Sequence, residues 1–475
     1  MRTSITCLVV LVAAMPAHAR IINVPADYPT IQAGIDASVN GDTVLVAPGE
    51  YPEILTVRGQ AITLTSSNGP EETTIVGYLT IRDFADTSGC VLRGFMVFDP
   101  NNDPFRGRPG IIVRSGKPRI IGNIIKHHYQ NSTSGGGVYL GGGAVISHNI
   151  IEDNYAMQAG GGIELGNASD VEVSYNIIRN NRSGYGLVNV GVGAGISGGR
   201  GRVSYNLIYG NNVRCIHYPG WPPCGDGGGV YAFSAKYYNN TIVNNTAIET
   251  ENQADGGGVF AGAYSFDSLR IVNNIIAFNN RGGLALQFYS PESLYTIPDN
   301  YNLLYGNTAY DYSAPETSQT NIFADPLFAD TAFQDYSLQA GSPCIDAGDP
   351  SFPLDPDSTR VDIGALFFDQ RVSIDDSLKG AAFQFELRQN YPNPFNAQTT
   401  IMYNLPSASR VSLTIFDITG KIARRLVGQE YQAAGQHHYT WDGTDNSGGH
   451  VSTGIYFYQL KVEDNRIIKC MILIK

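Results

Sequence analysis

The sequence contains very little that predicts helix. No amphipathic pattern extends over ten or more residues between its short apolar runs. Leucine-rich, ankyrin and tetratricopeptide signatures are also absent. These absences exclude the helical repeat architectures and favour a chain that is built mainly from short strands.

Several familiar chemical signatures are missing as well. No His/Cys cluster has the spacing of a zinc site. No nucleophile elbow is evident, because the G-x-S-x-G match at Gly195–Gly199 lies in a glycine-rich repeat and is not followed by a helical pattern. No glycine run is followed by the Gly-Lys-Ser/Thr of a phosphate-binding loop. After the amino terminus, no apolar segment is long enough to span a bilayer, so we expect no membrane span.

Acidic residues outnumber basic residues in this chain. The chain has 31 Lys and Arg against 43 Asp and Glu, a formal net charge of −12. Residues 1–19 contribute +1 and residues 385–475 contribute about +2, so residues 20–384 carry about −15. This balance argues against a nucleic-acid partner. An acidic polysaccharide could be bound only through a local basic patch or a bridging cation.

One pattern recurs through the middle of the chain: a short apolar run, then Asn, two aliphatic residues and a second Asn. It occurs at Gly122–His128, His148–Asn154, Tyr175–Asn181, Tyr205–Asn211, Asn239–Asn245, Asn273–Asn279 and Tyr301–Asn307. A period of about 26 to 34 residues is typical of solenoids and propellers. Because each repeat is strand-like and rich in Gly and Asn, the pattern predicts a coil that adds one layer of strands per turn, about 4.8 Å apart.

Aligning the repeats places asparagines in two columns. The first contains Asn123, Asn149, Asn176, Asn206, Asn240, Asn274 and Asn302, and the second contains Asn154, Asn181, Asn211, Asn245, Asn279 and Asn307, with His128 in its first position. Stacked amides hydrogen-bond along a column, so we interpret both as structural ladders rather than ligand sets. Glycine runs such as Gly135–Gly137 and Gly160–Gly162 form a further column, which we interpret as turns rather than as a phosphate cradle.

Two segments resemble a known superfold. Val24–Tyr51 resembles the start of the coil, and Ser342–Ala365 resembles its end, in the pectate-lyase-like right-handed parallel β-helix proteins. The resemblance implies an all-β fold, a right-handed parallel β-helix solenoid. Pro29–Ser38 is predicted to form a short amphipathic helix that covers the first turn of the coil. The superfold includes lyases, hydrolases, esterases, epimerases, adhesins and inert surface proteins, so the resemblance does not imply one activity.

The two ends of the chain have a different character. Residues 1–19 have Arg2, an apolar stretch and an Ala-His-Ala cleavage pattern, which predict a secretory signal peptide. We expect the β-helix to occupy residues 20–365, a linker 366–384, and a small Ig-like β-sandwich 385–475. The chain is therefore expected to be secreted or placed on the cell surface.

The carboxy-terminal region resembles the type A sorting domain of the type IX secretion pathway. The resemblance rests on Leu387–Pro406, the Phe416–Lys421 turn, the WDGTDNSGG motif at 441–449 and the final KCMILIK. It implies that residues 385–475 are recognised by outer-membrane secretion machinery. The alternative is an ordinary glycan-binding sandwich.

The repeat alignment also indicates candidate catalytic residues. Lys126, Glu152 and Arg179 follow the Asn-aliphatic-aliphatic triplet on consecutive repeats, and His127 aligns with Asp153 one position later. Such a column contains the groups needed for proton abstraction beside the carboxylate of a polyuronate. Glu152 and Asp153 could instead act as the paired carboxylates of a glycoside hydrolase. The alternative is a surface ion ladder, worth about 0–1 kcal/mol per pair.

A basic stretch surrounds the first of these residues. No Asp or Glu occurs from Pro104 to Ile151, whereas several Arg, Lys and His residues do. The stretch is interpreted either as a subsite for the anionic groups of a glycan or as a solvated basic edge.

An inserted loop supplies candidate sugar-stacking residues. His217, Tyr218 and Trp221 lie in a proline-rich segment between Cys215 and Cys224. A disulfide between these two cysteines would hold the aromatic rings rigidly for stacking on a sugar face, although the rings could also fold back onto the coil. After signal removal five cysteines remain, so at least one is free or paired between chains.

Aspartates cluster near the end of the coil. Asp346, Asp349, Asp355, Asp357 and Asp362 could bind calcium, or they could cap turns by accepting backbone N–H groups. Other metal ligands are not indicated. Together the patterns predict an exported, monomeric β-helix protein that binds or acts on an extracellular polysaccharide. If it is an enzyme, a polysaccharide lyase or glycoside hydrolase is expected. The alternative is a non-catalytic adhesin or structural protein.

Overall fold

The computed structural model describes most of the chain between residues 19 and 473. The described ranges are 19–84, 89–100, 107–130, 134–166, 170–184, 191–215, 226–249, 256–263, 269–288, 298–313, 318–370, 386–388, 390, 393, 395–396, 398–405, 409–417, 421–432, 435–462 and 465–473. The predicted signal peptide, most of the predicted linker and the loop residues after Cys215 therefore lie outside the described residues.

Three ten-stranded parallel sheets form the coil. Sheet A consists of Ile21–Val24, Thr43–Val46, Thr63–Ser66, Val91–Arg93, Arg119–Ile121, Ala144–Ser147, Val171–Ser174, Arg202–Ser204, Lys236–Tyr238 and Arg270–Val272. Sheet B consists of Gly49–Tyr51, Thr73–Val76, Met96–Phe98, Ile124–Lys126, Ile150–Glu152, Ile177–Arg179, Leu207–Tyr209, Thr241–Val243, Ile275–Ala277 and Leu303–Tyr305. Sheet C consists of Leu55–Arg58, Leu79–Arg82, Ile111–Val113, Val138–Leu140, Ile163–Leu165, Ile196–Gly198, Val230–Ala232, Val259–Ala263, Leu284–Phe288 and Tyr312–Ser313.

A shorter parallel sheet lies between sheets B and C along the chain. Sheet D contains Tyr129–Gln130, Tyr155–Ala156, Arg182–Ser183, Asn212–Cys215 and Thr246–Glu249. Each turn of the coil is here called a rung. A rung passes from sheet A to sheet B and then to sheet C, and the middle rungs include a strand of sheet D between B and C. The predicted β-helix is confirmed.

The core lies inside the coil. The central residue of each middle sheet B strand, for example Ile151 or Ile178, is fully buried, while the first and third residues face outward. This alternation follows from the two-residue period of a strand. Aliphatic side chains from sheets A and C complete a single core cluster along the coil.

The predicted asparagine ladders are confirmed. The side-chain oxygen of Asn149 accepts hydrogen bonds from the backbone N and Nδ2 of Asn123 at 2.9 and 3.0 Å. The second column repeats this, since the oxygen of Asn181 accepts from both donors of Asn154 at 3.1 and 3.0 Å. Every such amide is buried. The ladders therefore satisfy polar groups inside the turns, where water cannot reach them.

The sequence analysis predicted His128 at the start of the second ladder, but it did not predict how the ladders end. The first column continues from Asn302 to Asn321, and the second ends where Asp311 accepts both donors of Asn307. At the other end, burial lowers the pKa of His128 to about 4, and its Nε2 lies 3.1 Å from the Val97 carbonyl oxygen. A neutral histidine thus starts the second column.

The glycine column packs against the second ladder. A Cβ on Gly162 would lie 3.0 Å from Asn181 Nδ2 and 2.6 Å from the carbonyl oxygen of Gly195 on the next rung. The same close approach recurs at Gly137 and Gly229. Glycine is required here because two rungs touch through their backbones, which supports the turn interpretation.

The predicted amino-terminal helix is present as Ile31–Asp36. Thr30 caps it, its Oγ1 accepting from Ala33 N at 3.2 Å, and Ile31 and Ile35 are buried. The helix contacts the first strands of sheets A and C. It therefore covers the open end of the coil, where unpaired strand edges would otherwise be exposed.

Residues 318–370, here called the closing segment, return over the outer face of sheet B. The segment contains the strands Phe328–Asp330 and Asp335–Leu338 and a 3₁₀ turn at Thr331–Phe333. Its apolar residues form a cluster with outward residues of the last sheet B strands, such as Tyr209 and Ile275. Among the described residues, Cys90 and Cys344 are free and buried.

The carboxy-terminal region is antiparallel. One sheet contains Glu386–Leu387, Thr399–Leu405 and Gly435–Trp441, and the other contains Ser409–Asp417, Ile422–Gln432, Gly454–Val462 and Asn465–Leu473. They share one apolar core that includes Trp441. Trp441 Nε1 donates to the Thr444 carbonyl at 2.8 Å, so this buried ring has a structural role. Within the described residues, no helix is long and apolar enough to cross a membrane.

Candidate functional site

The structure aligns the predicted charged column on the outer face of sheet B. Lys126 pairs with Glu152, Glu152 with Arg179, and Arg179 with Tyr209. Each residue is the third of its strand, and the buried residue before it points inward, so the side chains project from one face. The catalytic roles proposed for these residues remain predictions.

Glu152 and Arg179 form a half-buried ion pair. Arg179 Nε and Nη2 donate to Glu152 Oε2 at 2.8 and 2.6 Å, and Nη1 donates to the Tyr209 hydroxyl at 2.9 Å. Burial works against the charged guanidinium, but Tyr209 and Glu152 together keep the pKa of Arg179 above its ordinary value. The pair is therefore held in one geometry, with its charges mutually compensated.

Lys126 is in a different situation. Its side chain is half-buried, and in the part of the chain that the structure describes it forms no ion pair or hydrogen bond. Among the described residues, Lys126 thus presents an ammonium without a direct hydrogen-bond or ion-pair partner next to a rigid ion pair, where it can bind an anionic group of a ligand.

Glu71 lies within electrostatic range of this row. Burial raises the pKa of Glu71, Lys126 lowers it and Glu152 raises it further. The sequence did not indicate Glu71, because it lies in the turn before Thr73–Val76, two rungs away from Lys126. Glu71 therefore adds a partly buried carboxyl, the second after Glu152, near the charged row of sheet B.

His127 and Asp153 occupy the turn that follows sheet B. Both have left-handed backbone conformations, with φ of 59° and 54°. The His127 ring packs edge-on against Phe98 at 5.4 Å, and Asp153 is exposed. In the described part of the structure no ion pair joins them. The two residues are placed one rung apart, as the alignment predicted, but they are not assembled as a hydrogen-bonded pair.

An aromatic ladder runs beside the row, along the turn between sheets A and B. The His148 and Tyr175 rings stack at 5.3 Å, and those of Tyr175 and Tyr205 at 5.1 Å. Tyr175 is 52% exposed. Gly122 has the same turn position on the preceding rung, and a Cβ there would meet nothing within 4 Å. Gly122 therefore adds no ring, and the ladder begins at His148.

A second aromatic stack lies on the opposite side of the row. The Tyr129 and Tyr155 rings on sheet D stack at 4.2 Å with an interplanar angle of 18°. Arg182, which is exposed, follows them in the same register. The charged row of sheet B therefore lies between two lines of aromatic side chains, an arrangement suited to a sugar chain with anionic groups.

The predicted sugar-stacking loop cannot be placed. His217, Tyr218, Trp221 and Cys224 lie outside the described residues, and Cys215 ends the strand Asn212–Cys215. The ladder of His148, Tyr175 and Tyr205 was missed, although its signal is present in the sequence. Each ladder residue directly precedes the first Asn of its repeat.

The basic stretch does not form one patch. Arg119 lies on sheet A and Lys126 on sheet B, while Arg114 follows a sheet C strand. Lys117 forms an ion pair with Asp170 at 2.7 Å. A stretch of this length passes around one whole rung, so its charges point in different directions and the solvated-edge interpretation fits better.

The aspartates near the end of the coil cap turns. Asp362 accepts from the backbone N of Asp346 and of Phe368, both at 2.7 Å, and Asp355 accepts from Asp362 N at 2.7 Å. Burial raises the pKa of Asp362 to about 6. Among the described residues no group of three His, Cys, Asp or Glu side chains could hold a metal ion. The hydrogen bonds thus support the capping interpretation over a calcium site.

A buried carboxyl on sheet C was also missed. Glu164 lies on the outer face between Tyr139 and Ser197, and burial raises its pKa to about 8 despite a hydrogen bond from Ser197. Within the described residues its Oε2 is shielded from solvent and has no hydrogen-bond partner. A lone Glu in a strand with inward Ile163 and Leu165 gives no sequence signal that distinguishes it from a solvated glutamate.

Comparisons with known families cover two parts of the chain. Residues 61–248 match the family described as "Right handed beta helix region", and residues 395–466 match the "FlgD Ig-like domain". These matches agree with the right-handed β-helix and the antiparallel carboxy-terminal region described above. No curated protein matches the chain.

Solved structures are similar to each region separately. FlgD from P. aeruginosa is 26% identical over 16% of this chain and 58% of its own, with a TM-score of 0.13. The pectin methylesterase PemA from Erwinia chrysanthemi is 12% identical over 66% and 94% of the two chains, with a TM-score of 0.23. The PL6 family alginate lyase AlyGC is 14% identical over 72% and 58%, with a TM-score of 0.28.

The chain spans less than two thirds of the FlgD and alginate lyase structures. At these identities and TM-scores the structures supply no argument about activity, which must come from the site itself. The family match over residues 61–248 and the three parallel sheets together show a right-handed β-helix in this part of the chain.

Proposed function

We propose that this chain binds an extracellular polyuronate along the outer face of sheet B. The observation that carries the proposal is the position of Lys126. Its ammonium has no direct partner among the described residues, and it continues the rigid Glu152–Arg179 pair in a row between two aromatic stacks. A polysaccharide with a carboxylate on each sugar unit offers anionic groups to the row. It also offers apolar ring faces to aromatic side chains.

The dimensions of the face suit an extended chain. From Gly49–Tyr51 to Ile177–Arg179, six strands of sheet B follow one another. At about 4.8 Å per strand this face extends about 24 Å along the coil axis. The aromatic ladder and the charged row run parallel to that axis, so successive sugar units would meet equivalent positions on successive rungs.

The same groups are the ones that could cleave the bound chain. In a lyase reaction a base removes the proton beside the uronate carboxylate. The electron pair forms a C=C bond as the adjacent glycosidic C–O bond breaks, and the leaving oxygen takes up a proton, so that an unsaturated sugar remains. In hydrolysis, water adds across that bond, with Glu152 and Asp153 as acid and base. The proposal is therefore binding of the polymer, and cleavage is a separate activity that is tested below.

One observation favours the alternative of a non-catalytic adhesin. Arg179 compensates Glu152 with two short hydrogen bonds, which is the arrangement of a structural ion pair. A coil of this kind can act as a rigid scaffold that presents side chains to a partner.

We also propose that the chain is exported and that residues 385–475 direct it to outer-membrane secretion machinery. The support for this is the set of sequence motifs at Leu387–Pro406, Phe416–Lys421 and 441–449, together with the signal-like residues 1–19. A reporter fused to residues 385–475 and expressed with a type IX system should reach the medium or the cell surface. Retention of the fusion in the periplasm would contradict the assignment.

The binding proposal predicts a large effect of Lys126→Ala. Loss of one charge-assisted contact should weaken retention on polygalacturonate or alginate by about 10–100-fold. The melting temperature should change little, because among the described residues Lys126 forms no hydrogen bond or ion pair and has only a longer-range attraction to Glu71. Arg119→Ala, an exposed cation on sheet A of the same rung, is the matched control. Equal retention of the Lys126 variant and the control would exclude the site. Trp221→Ala would test the predicted loop in the same assay.

Cleavage is tested with the same polymers by following reducing ends and unsaturated uronate. An unsaturated product should disappear in Lys126→Ala, and reducing ends without unsaturation should disappear in Glu152→Gln or Asp153→Asn. Asp170→Asn, on the far side of the coil, is the control variant. If the folded protein binds the polymer but forms neither product, the adhesin alternative is favoured.

A further inference from the structure

The outer face of sheet B is open in one half and covered in the other. From Tyr209 onward the closing segment lies on it, and the Tyr336 ring is 5.4 Å from the Tyr209 ring. Asn244 Nδ2 donates to the Tyr336 hydroxyl at 2.9 Å, and Thr241 Oγ1 accepts from Ala365 N at 3.0 Å. These contacts attach the segment to several rungs of the coil.

The closing segment packs directly against the outer face of sheet B. Gly364 N donates to the Asn273 carbonyl at 2.8 Å, and a Cβ on Gly364 would lie 2.6 Å from Ile275 Cδ1. Asp349 N also donates to Asn273 Oδ1 at 2.7 Å. No space for a sugar chain remains between the closing segment and these strands. Displacing the segment would break several buried hydrogen bonds at once.

The aromatic ladder meets the same boundary. Asp355 of the closing segment acts electrostatically on Tyr205, and the Arg360 guanidinium lies 5.4 Å above the Tyr301 ring. Tyr205 is half-buried, whereas Tyr175, one rung earlier, is 52% exposed. Both lines of contact, the charged row and the ladder, therefore end at the rung of Tyr209.

The opposite end is arranged differently among the described residues. The amino-terminal helix Ile31–Asp36 contacts strands of sheets A and C. Tyr456 of the carboxy-terminal region lies within electrostatic range of Glu72, in the turn before the second strand of sheet B. Phe98, Lys126 and Tyr175 remain partly or largely exposed. A chain that lies along the axis can extend past this end, but not past Tyr209.

We infer that the outer face of sheet B is a blind groove that receives one end of a polyuronate chain, with the closing segment as its terminal wall. The inference rests on the proposed function and adds where on the polymer the protein binds. An interior segment of a chain cannot occupy the row up to Arg179 without running into the closing segment. Only a chain that ends there can fill the whole face.

The blind groove is tested by measuring how much full-length protein binds to each polymer at saturation. Polygalacturonate and alginate are each prepared as long chains and as chains of about one tenth that length, at equal mass. Because the shorter preparation has about ten times as many ends, we expect bound protein at saturation to rise by about the same factor. Lys126→Ala should lower affinity for both preparations.

End-blocked oligomers provide the second measurement. Six-unit oligouronates from both polymers carry a bulky group on the reducing end, on the non-reducing end, or on neither. We expect one blocked form to bind at least about tenfold more weakly than the free oligomer and the other to bind normally. Equal binding of all three forms, with saturation that follows polymer mass, would overturn the blind groove and leave the proposed function intact. Absence of binding by every form would overturn both.

Discussion

Replacement of Asn206 by leucine should destabilise the β-helix by about 3–5 kcal/mol. Asn206 lies in the middle of the first ladder and is fully buried. Its oxygen accepts from the backbone N and Nδ2 of Asn176, at 3.0 and 2.9 Å, and its Nδ2 donates to the Val173 and Ser204 carbonyls and to Asn240. Leucine has similar volume but leaves these groups without partners, and each unsatisfied buried group costs about 1–3 kcal/mol.

Chemical denaturation, followed by circular dichroism, measures this effect. Asn68→Ala is the control, because Asn68 is exposed and bonds the side chains of Ser67 and Glu72 at the surface. We expect the control to change stability by less than about 0.5 kcal/mol. In a solenoid each rung contacts mainly its neighbours, so the loss should be greatest around the rung of Asn206. Equal stability of the two variants would show that the ladder does not support the coil.

Glu164→Gln should make the protein more stable at alkaline pH and leave it unchanged at acidic pH. Burial raises the pKa of Glu164 from its ordinary value of 4.5 to about 8, so the fold favours the protonated carboxyl. Between these values the folded state holds a proton that the unfolded state releases, and stability falls as pH rises. The full stability is present below about pH 4.5, and the loss is complete above about pH 8. Integrated over this range, the loss is about 2–5 kcal/mol.

Glutamine keeps the shape of the side chain but cannot ionise. Melting temperatures of wild type and Glu164→Gln should therefore coincide near pH 4.5 and diverge towards pH 8.5, with the variant higher. Glu172→Gln, an exposed glutamate in a neighbouring sheet A strand, is the control and should follow the wild type throughout. Parallel curves for wild type and Glu164→Gln would show that Glu164 is solvated and ionised in the folded protein.

The fold could be predicted because its causes are local and repeated. Asn149 and Asn181 occur in columns whose period equals one rung, and stacked amides bond only when successive rungs are in register. The same register places Lys126 over Glu152 and Glu152 over Arg179, so the charged row was predictable from the alignment. A one-residue shift would have turned these side chains into the core.

The environment of each side chain was not predictable. Nothing in the repeats distinguishes Glu152, which Arg179 compensates, from Glu164, whose Oε2 is buried without a partner. Nor do they indicate that Glu71, two rungs away from Lys126, acts on the same face. Burial and partners depend on residues that are distant along the chain, and a single sequence does not contain those distances.

The sequence by itself determined the β-helix, its register, its ladders of Asn and Gly, and the face on which Lys126 and Arg179 lie. These features follow from two periods that are visible in the sequence. Side chains alternate every two residues along a strand, and the repeat returns once per rung. Only the tertiary structure decided which part of that face is accessible. Residues 318–370 return over sheet B from Tyr209 onward because outward apolar residues there, such as Ile275, must be buried. That long-range contact, and not any motif, limits the candidate site to the earlier rungs.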